Sequence, residues 1–229
     1  MKNKNIINFS LSGGVFLLFI IFTFVVKFAD VVAIGPNESV VGLASLNMQI
    51  RDLIGYSETW LKISDIFGYI AIAVAVGFAV YGIISLIKNK SIKKVDTNLI
   101  ILACFYVAVG IFYVLFELIV VNYRPVLIDG QLEASYPSSH TILALCIMAS
   151  AIIMFDKLLL NKTVKMVAVI SSVLVIAVTL LARVMSGVHW ISDIIGGILL
   201  STALIMTFDS TIEYFANRPT KAIDSQNIN

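Results

Sequence analysis

The chain is short of charge, cysteine and histidine, and each shortage excludes something. Of 229 residues only 13% are Asp, Glu, Lys or Arg, against 59% that are hydrophobic. So few charged side chains cannot coat a soluble globule of this length, so the bilayer has to act as solvent for most of it. The two cysteines, Cys104 and Cys146, both lie inside apolar runs. That argues against a disulfide and against a thiolate metal site, and leaves them as packing residues. A net charge of +2, with the basic residues scattered, excludes the concentrated patch that a nucleic-acid partner needs. There are two histidines, His140 and His189, each at the end of an apolar run.

What the sequence does have is long apolar stretches. Six approach the roughly 20 residues that cross a hydrocarbon core of about 30 Å: 11–33, 64–87, 98–121, 139–160, 165–188 and 190–212. Lipid offers no partner to an unpaired backbone group, so each is expected to be helical. The fold class is all-α: a six-span transmembrane bundle forming one membrane-embedded domain over residues 1–229. No small-residue cleavage site follows the first run, which is kept as a span. Segment 34–63 opens with Gly35-Pro36-Asn37, carries apolar residues at partly helical spacing, and reads as an outer interfacial helix or a lid. Asn37-Glu38-Ser39 is taken as a turn. Residues 213–229 read as a polar cytoplasmic tail.

Lysine and arginine orient the bundle. With the N-terminus inside, the cytoplasmic segments collect Lys2, Lys4, Lys88, Lys90, Lys93, Lys94, Lys157, Lys162, Lys165, Arg218 and Lys221. The outer side keeps Arg51, Lys62, Arg124 and Arg183, with Lys27 a turn or two below that surface. The excess predicts a multi-pass cell-membrane protein with both termini cytoplasmic. Trp60 and Trp190 then fall at the outer interface, where an amphipathic ring is favoured.

In that topology three polar clusters meet at the outer face. Arg124 follows the third span, which Pro125 stops. Pro137-Ser138-Ser139-His140 opens the fourth span, with serines able to cap free amides and an end that favours an anion. Arg183 closes the fifth, and His189 and Asp193 stand four apart on one face of the sixth. A carboxylate so placed can hold one ring nitrogen and leave the other free to attack. Each piece has a plainer reading: a snorkelling arginine, a helix cap, a boundary histidine. Intramembrane ionisable groups are costly, so three such clusters on one side point to phosphoryl-transfer chemistry. A zinc site of His140, His189, Asp193 and Glu117 is an alternative, against which two adjacent arginines weigh.

These residues resemble the type 2 phosphatidic acid phosphatase superfamily, whose motifs read K-x6-R-P, P-S-G-H and S-R-x5-H-x3-D. Here the second and third blocks are Pro137-Ser138-Ser139-His140 and Ala182-Arg183-x5-His189-x3-Asp193, and the similarity covers about residues 60–212. The resemblance implies a lipid phosphate or polyprenyl diphosphate as substrate, with the site at the outer face. It implies His189 as nucleophile forming a phosphohistidine, Asp193 orienting it, and His140 protonating the leaving oxygen and then activating water. Arg124, Arg183 and the amides around Ser138 and Ser139 would hold the phosphate, with no metal and no cofactor. Three positions depart: Ser139 stands for the glycine, Ala182 for the serine, and Glu117 for the lysine of the first motif. Glu117 leaves three readings open: an ion pair with Arg124 or Lys27, a protonated acid, or a contact to a cationic head group. The competing functions are a lipid phosphotransferase of the same fold and a non-catalytic lipid-binding or transport protein. Neither the identity of the lipid nor the oligomeric state is legible.

Overall fold

The computed structural model describes residues 2–217, so the basic residues Arg218 and Lys221 and most of the expected tail lie outside the described residues. Seven α-helices run α1 (Lys2–Phe28), α2 (Ala44–Ile54), α3 (Glu58–Asn89), α4 (Thr97–Leu118), α5 (Ser139–Leu158), α6 (Lys162–Ser186) and α7 (Ile191–Ala216). Among the described residues, all but α2 are long and apolar enough to cross a membrane. Both cysteines are free.

The first helix stops at Phe28, five residues before the apolar run does. The chain turns there through Asp30, in the left-handed region at φ 47°, into a short antiparallel pair, β1 (Val32–Ala33) with β2 (Val40–Val41). This hairpin ties α1 to α2: Leu43 and Ala44 donate to the carbonyls of Ala29 and Asp30, and the Asp30 carboxylate caps the Ser45 amide at 2.7 Å. A side chain at Gly42 would collide with the carbonyl oxygen of Val26, so only glycine fits this crossing.

Capping sets the other starts. Asp96 accepts the Asn98 amide at 2.8 Å to begin α4, and Asn161 accepts those of Thr163 and Val164 at 2.9 and 3.1 Å to begin α6. Helix α3 begins at Glu58, six residues ahead of its apolar run, behind Ser57, which accepts the Trp60 amide, and with a 2.8 Å pair between Glu58 and Lys62. That early start places Asp65 two turns inside a helix.

Helices α5 and α7 form the centre: half of the apolar window of each is buried, against 6% for α3. Small residues explain the close approach. At Gly197 an added Cβ would lie 2.9 Å from the Thr141 side chain, and at Gly196 it would strike the ring of Tyr136. Helix α1 packs along α7, through a core that includes Phe19, Val26, Leu200, Phe208 and Ile212, and Asn8 donates to Glu213 at 3.2 Å. At its other end Lys27 donates to the carbonyls of Val120 and Val121, just beyond α4, at 2.8 and 3.5 Å.

Segment 34–63 contains a helix, α2, at Ala44–Ile54, in keeping with its partly helical spacing. Within α2 the buried Asn47 side chain donates to the Gly42 carbonyl at 2.8 Å and to Ser192 Oγ at 3.0 Å, and accepts the Ser192 amide at 3.2 Å. These bonds pin α2 to the start of α7. Arg51 of α2 lies 5.7 Å from the centroid of the Trp190 ring. Trp190 is not an interfacial belt residue: it is 1% exposed, and its Nε1 donates to the Tyr123 carbonyl at 2.7 Å.

Candidate functional site

The loop after α4 delivers Arg124. Beyond Val121 the chain folds back on itself, Tyr123 bridging Ala134 and Ile128 bridging Gln131, with the Arg124 amide donating to the Glu133 carbonyl at 3.0 Å. The guanidinium is held twice. Its Nε lies 3.0 Å from the Glu133 carboxylate, and its Nη1 lies 3.2 Å from His189 Nε2.

The α6–α7 corner delivers His189 and Asp193. Gly187 ends α6 at φ 65°, and a Cβ there would collide with the carbonyl oxygen of Gly55, so glycine lets the α2–α3 turn close over this corner. Asp193 accepts the Trp190 amide at 2.9 Å, which caps α7 and fixes the carboxylate. His189 Nδ1 is 3.5 Å from the same carboxylate, an electrostatic contact without the alignment of a hydrogen bond. Arginine can only donate, so its contact makes Nε2 the acceptor and leaves the ring proton on Nδ1, facing Asp193. Burial, then the charges of Arg124, Arg183 and His140, hold the His189 imidazole well below its ordinary range. The ring is therefore neutral at pH 7 with its lone pair on Nε2. Arg124 and His189, 65 positions apart in the chain, are thus direct neighbours.

The start of α5 delivers His140, Ser138 and Ser139. Ser138 is wholly buried, its amide donates to the Asp193 carbonyl at 3.0 Å, and its hydroxyl accepts from Thr141 at 3.1 Å. This corrects the expectation that the Ser138 amide faces a phosphate: it joins α5 to α7 instead. The first bond within the helix runs from the Ile142 amide to the Ser138 carbonyl, so Ser139, His140 and Thr141 carry the amides without an intrahelical acceptor. The open helix end survives, one residue further on.

One residue of the site escaped the sequence reading. Asp65 of α3 sets its Oδ1 3.2 Å from His140 Nε2 and 3.4 Å from Arg183 Nη2, so one carboxylate oxygen serves two clusters. One turn later Gly68 makes room, since a Cβ there would lie 3.0 Å from His140 Cδ2. The available signal was an acid beside a membrane span, which is costly unless it is used. With the span expected to start at 64, Asp65 sat at its boundary.

Glu117, in the last turn of α4, is exposed and lines a cleft with Arg124, Ser139 and His189. Neither expected ion pair is present: Arg124 is paired with Glu133, and Lys27 is spent on backbone carbonyls. Among the described residues, no three His, Cys, Asp or Glu side chains gather as metal ligands.

Buried polar atoms without partners concentrate here. Among the described residues there are eight: four are His140 Nδ1, Arg183 Nε and Nη1, and His189 Nδ1, and a fifth, Arg124 Nε, has its ion pair with Glu133 but no aligned hydrogen bond. Arg183 is 1% exposed. Guanidinium and imidazole groups gathered in one buried place have the chemistry to meet a compact oxyanion.

Residues 119–215 match the PAP2 superfamily, a stretch that holds Arg124, both histidines, Arg183 and Asp193. The chain has the fold of a transmembrane PAP2-type phosphatidylglycerolphosphate phosphatase from Bacillus subtilis, with a TM-score of 0.63 over 91% of this chain and 98% of that one, at 17% identity. No curated protein sequence matches significantly. The expected six-span helical bundle with the architecture of a membrane phosphatase stands on these findings.

Proposed function

We propose that the protein hydrolyses a lipid phosphate or polyprenyl diphosphate at the outer face of the membrane, through a phosphohistidine and without a metal. The observation that carries this reading is the set of buried, unpartnered guanidinium and imidazole nitrogens around His189. In the first step His189 Nε2 attacks phosphorus, the P–N bond forms, and the bond to the lipid oxygen breaks as His140 protonates that oxygen. In the second, His140 takes a proton from water, the hydroxide oxygen attacks phosphorus, and the P–N bond breaks to release inorganic phosphate. Asp193 steadies the positive charge that His189 acquires. Arg124, Arg183 and the amides of Ser139 and its neighbours meet the charge on the phosphoryl oxygens. Asp65 holds His140 and Arg183 in register.

A crevice of about 420 Å³ between α3 and α4, lined by Phe78, Leu86, Leu99, Leu102 and Tyr106 among others, suits a long apolar tail. Its nearest lining residue on α3, Phe78, lies 13 positions from Asp65, about 20 Å along the helix. That is a span for an extended lipid chain.

The decisive experiment replaces His189 by alanine in detergent-solubilised protein. Phosphate release from a lipid phosphate should fall by at least about a thousandfold, to background. Release at the wild-type rate would eliminate His189 as the nucleophile. Chelators should leave the wild-type rate unchanged. The unpaired Glu117 favours a second reading, a lipid-binding protein that retains the fold with a weakened phosphate pocket. Folded protein inactive against a panel of lipid phosphates would favour it.

A further inference from the structure

The cleft beside His189 is lined by an acid, Glu117, as well as by Arg124 and Ser139. Four carboxylates, those of Asp65, Glu117, Glu133 and Asp193, accompany two guanidiniums, Arg124 and Arg183. Three of the four are engaged. Asp65 holds Arg183 and His140, Glu133 holds Arg124, and Asp193 caps α7 beside His189. Glu117 has no ion pair among the described residues, and it opens onto the same cleft as Arg124, Ser139 and His189. A phosphate bound to those groups would sit near an unmatched anion, and repulsion across a partly dehydrated cleft is costly.

The surfaces next to Glu117 are aromatic. Phe112, Tyr113 and Phe116 come from the same α4 face, one turn apart, and the ring of Tyr136 packs edge-on against Phe116 with centroids 6.1 Å apart. A carboxylate rimmed by aromatic rings is the chemistry that binds an ammonium ion: the acid supplies charge and the ring faces supply their quadrupoles.

We propose that Glu117 selects lipid phosphates carrying an ammonium group close to the phosphate. The cation would lie against Glu117 and the α4 aromatics while the phosphate occupies the arginine and histidine pocket. The departure at 117 then changes specificity in place of degrading the site. This rests on the reading of the protein as a lipid phosphatase, whose substrate class it narrows.

The test compares two lipids that differ in one group. Sphingosine 1-phosphate has an ammonium on the carbon next to the phosphoester carbon, and N-acetylsphingosine 1-phosphate has an acetamide there. Both are presented to the full chain in the same mixed micelles. Wild type should favour the amine roughly tenfold in kcat/KM. Glu117→Gln should lower that value for the amine and raise it for the amide, bringing the ratio near one. No preference in wild type, or a preference that survives in Glu117→Gln, would overturn the proposal while leaving the phosphatase reading intact. Absence of phosphate release from both lipids would instead count against the phosphatase reading. Isothermal titration with 2-aminoethylphosphonate and ethylphosphonate then decides the role of Glu117. Tighter binding of the amine, lost in Glu117→Gln, sustains it, and equal binding of the two by wild type overturns it.

Discussion

Asp65 illustrates how much a single oxygen can organise. Its Oδ1 touches His140 and Arg183 together, so removing its charge disturbs a ring and a guanidinium at once. Asp65→Asn should lower kcat roughly tenfold to a hundredfold while the thermal transition moves by only a few degrees. A transition lowered by far more would mark Asp65 as structural. His189 allows a prediction in pH. Its imidazole is held below the ordinary range by burial and by Arg124, Arg183 and His140, so acid is taken up more readily by the unfolded chain than by the folded one. Stability should therefore fall as pH drops below roughly 6.5, the ordinary imidazole value. His189→Gln should flatten that part of a melting-temperature profile. Turnover should persist through pH 6.5, because the ring stays unprotonated there. The residues of the second and third blocks were legible because their spacing along the chain survives folding. Asp65 was not, because its contacts lie 75 and 118 positions away along the sequence.

At the scale of elements, glycines decide how closely helices approach. Gly68→Ala would press a methyl group against His140 at 3.0 Å, which should reduce kcat about tenfold with little loss of stability. Gly187→Ala has a different outcome. A side chain there is strained at φ 65° and strikes the Gly55 carbonyl, so the protein should lose about 1–3 kcal/mol in denaturation measured in detergent. The six spans could be read from apolar length alone, because lipid forces such runs into helices. Their ends could not. Caps at Asp96 and Asn161 and the turn at Asp30 act through single side chains or backbone angles that hydropathy does not register. The same holds for Ser138. The hydrogen bond its amide donates to the Asp193 carbonyl depends on a crossing of α5 and α7 made possible by Gly197, and nothing local announces it.

For the whole molecule, the proposed orientation predicts which side is reached from outside. In a cysteine-free background, Gln131→Cys should react with an impermeant maleimide on intact cells, and Lys90→Cys should react only after permeabilisation. The reverse pattern would move the site to the inner face. The crevice between α3 and α4 predicts a dependence on tail length: Ala103→Trp should raise KM several-fold for a long-chain lipid phosphate and leave a short-chain, water-soluble one unaffected. Apolar runs made the six-span architecture legible, but the order in which helices pack was not, because an all-apolar span carries little information on its neighbours.

The seating of the first helix against the last bears on how the protein is made. A nascent chain leaves the ribosome with α1 long before α7 exists, so α1 must wait in the bilayer for the helix it packs against. His189 and Asp193 arrive late as well. On the proposed mechanism, a chain translated only as far as α6 lacks both residues and should be inert toward the lipids around it.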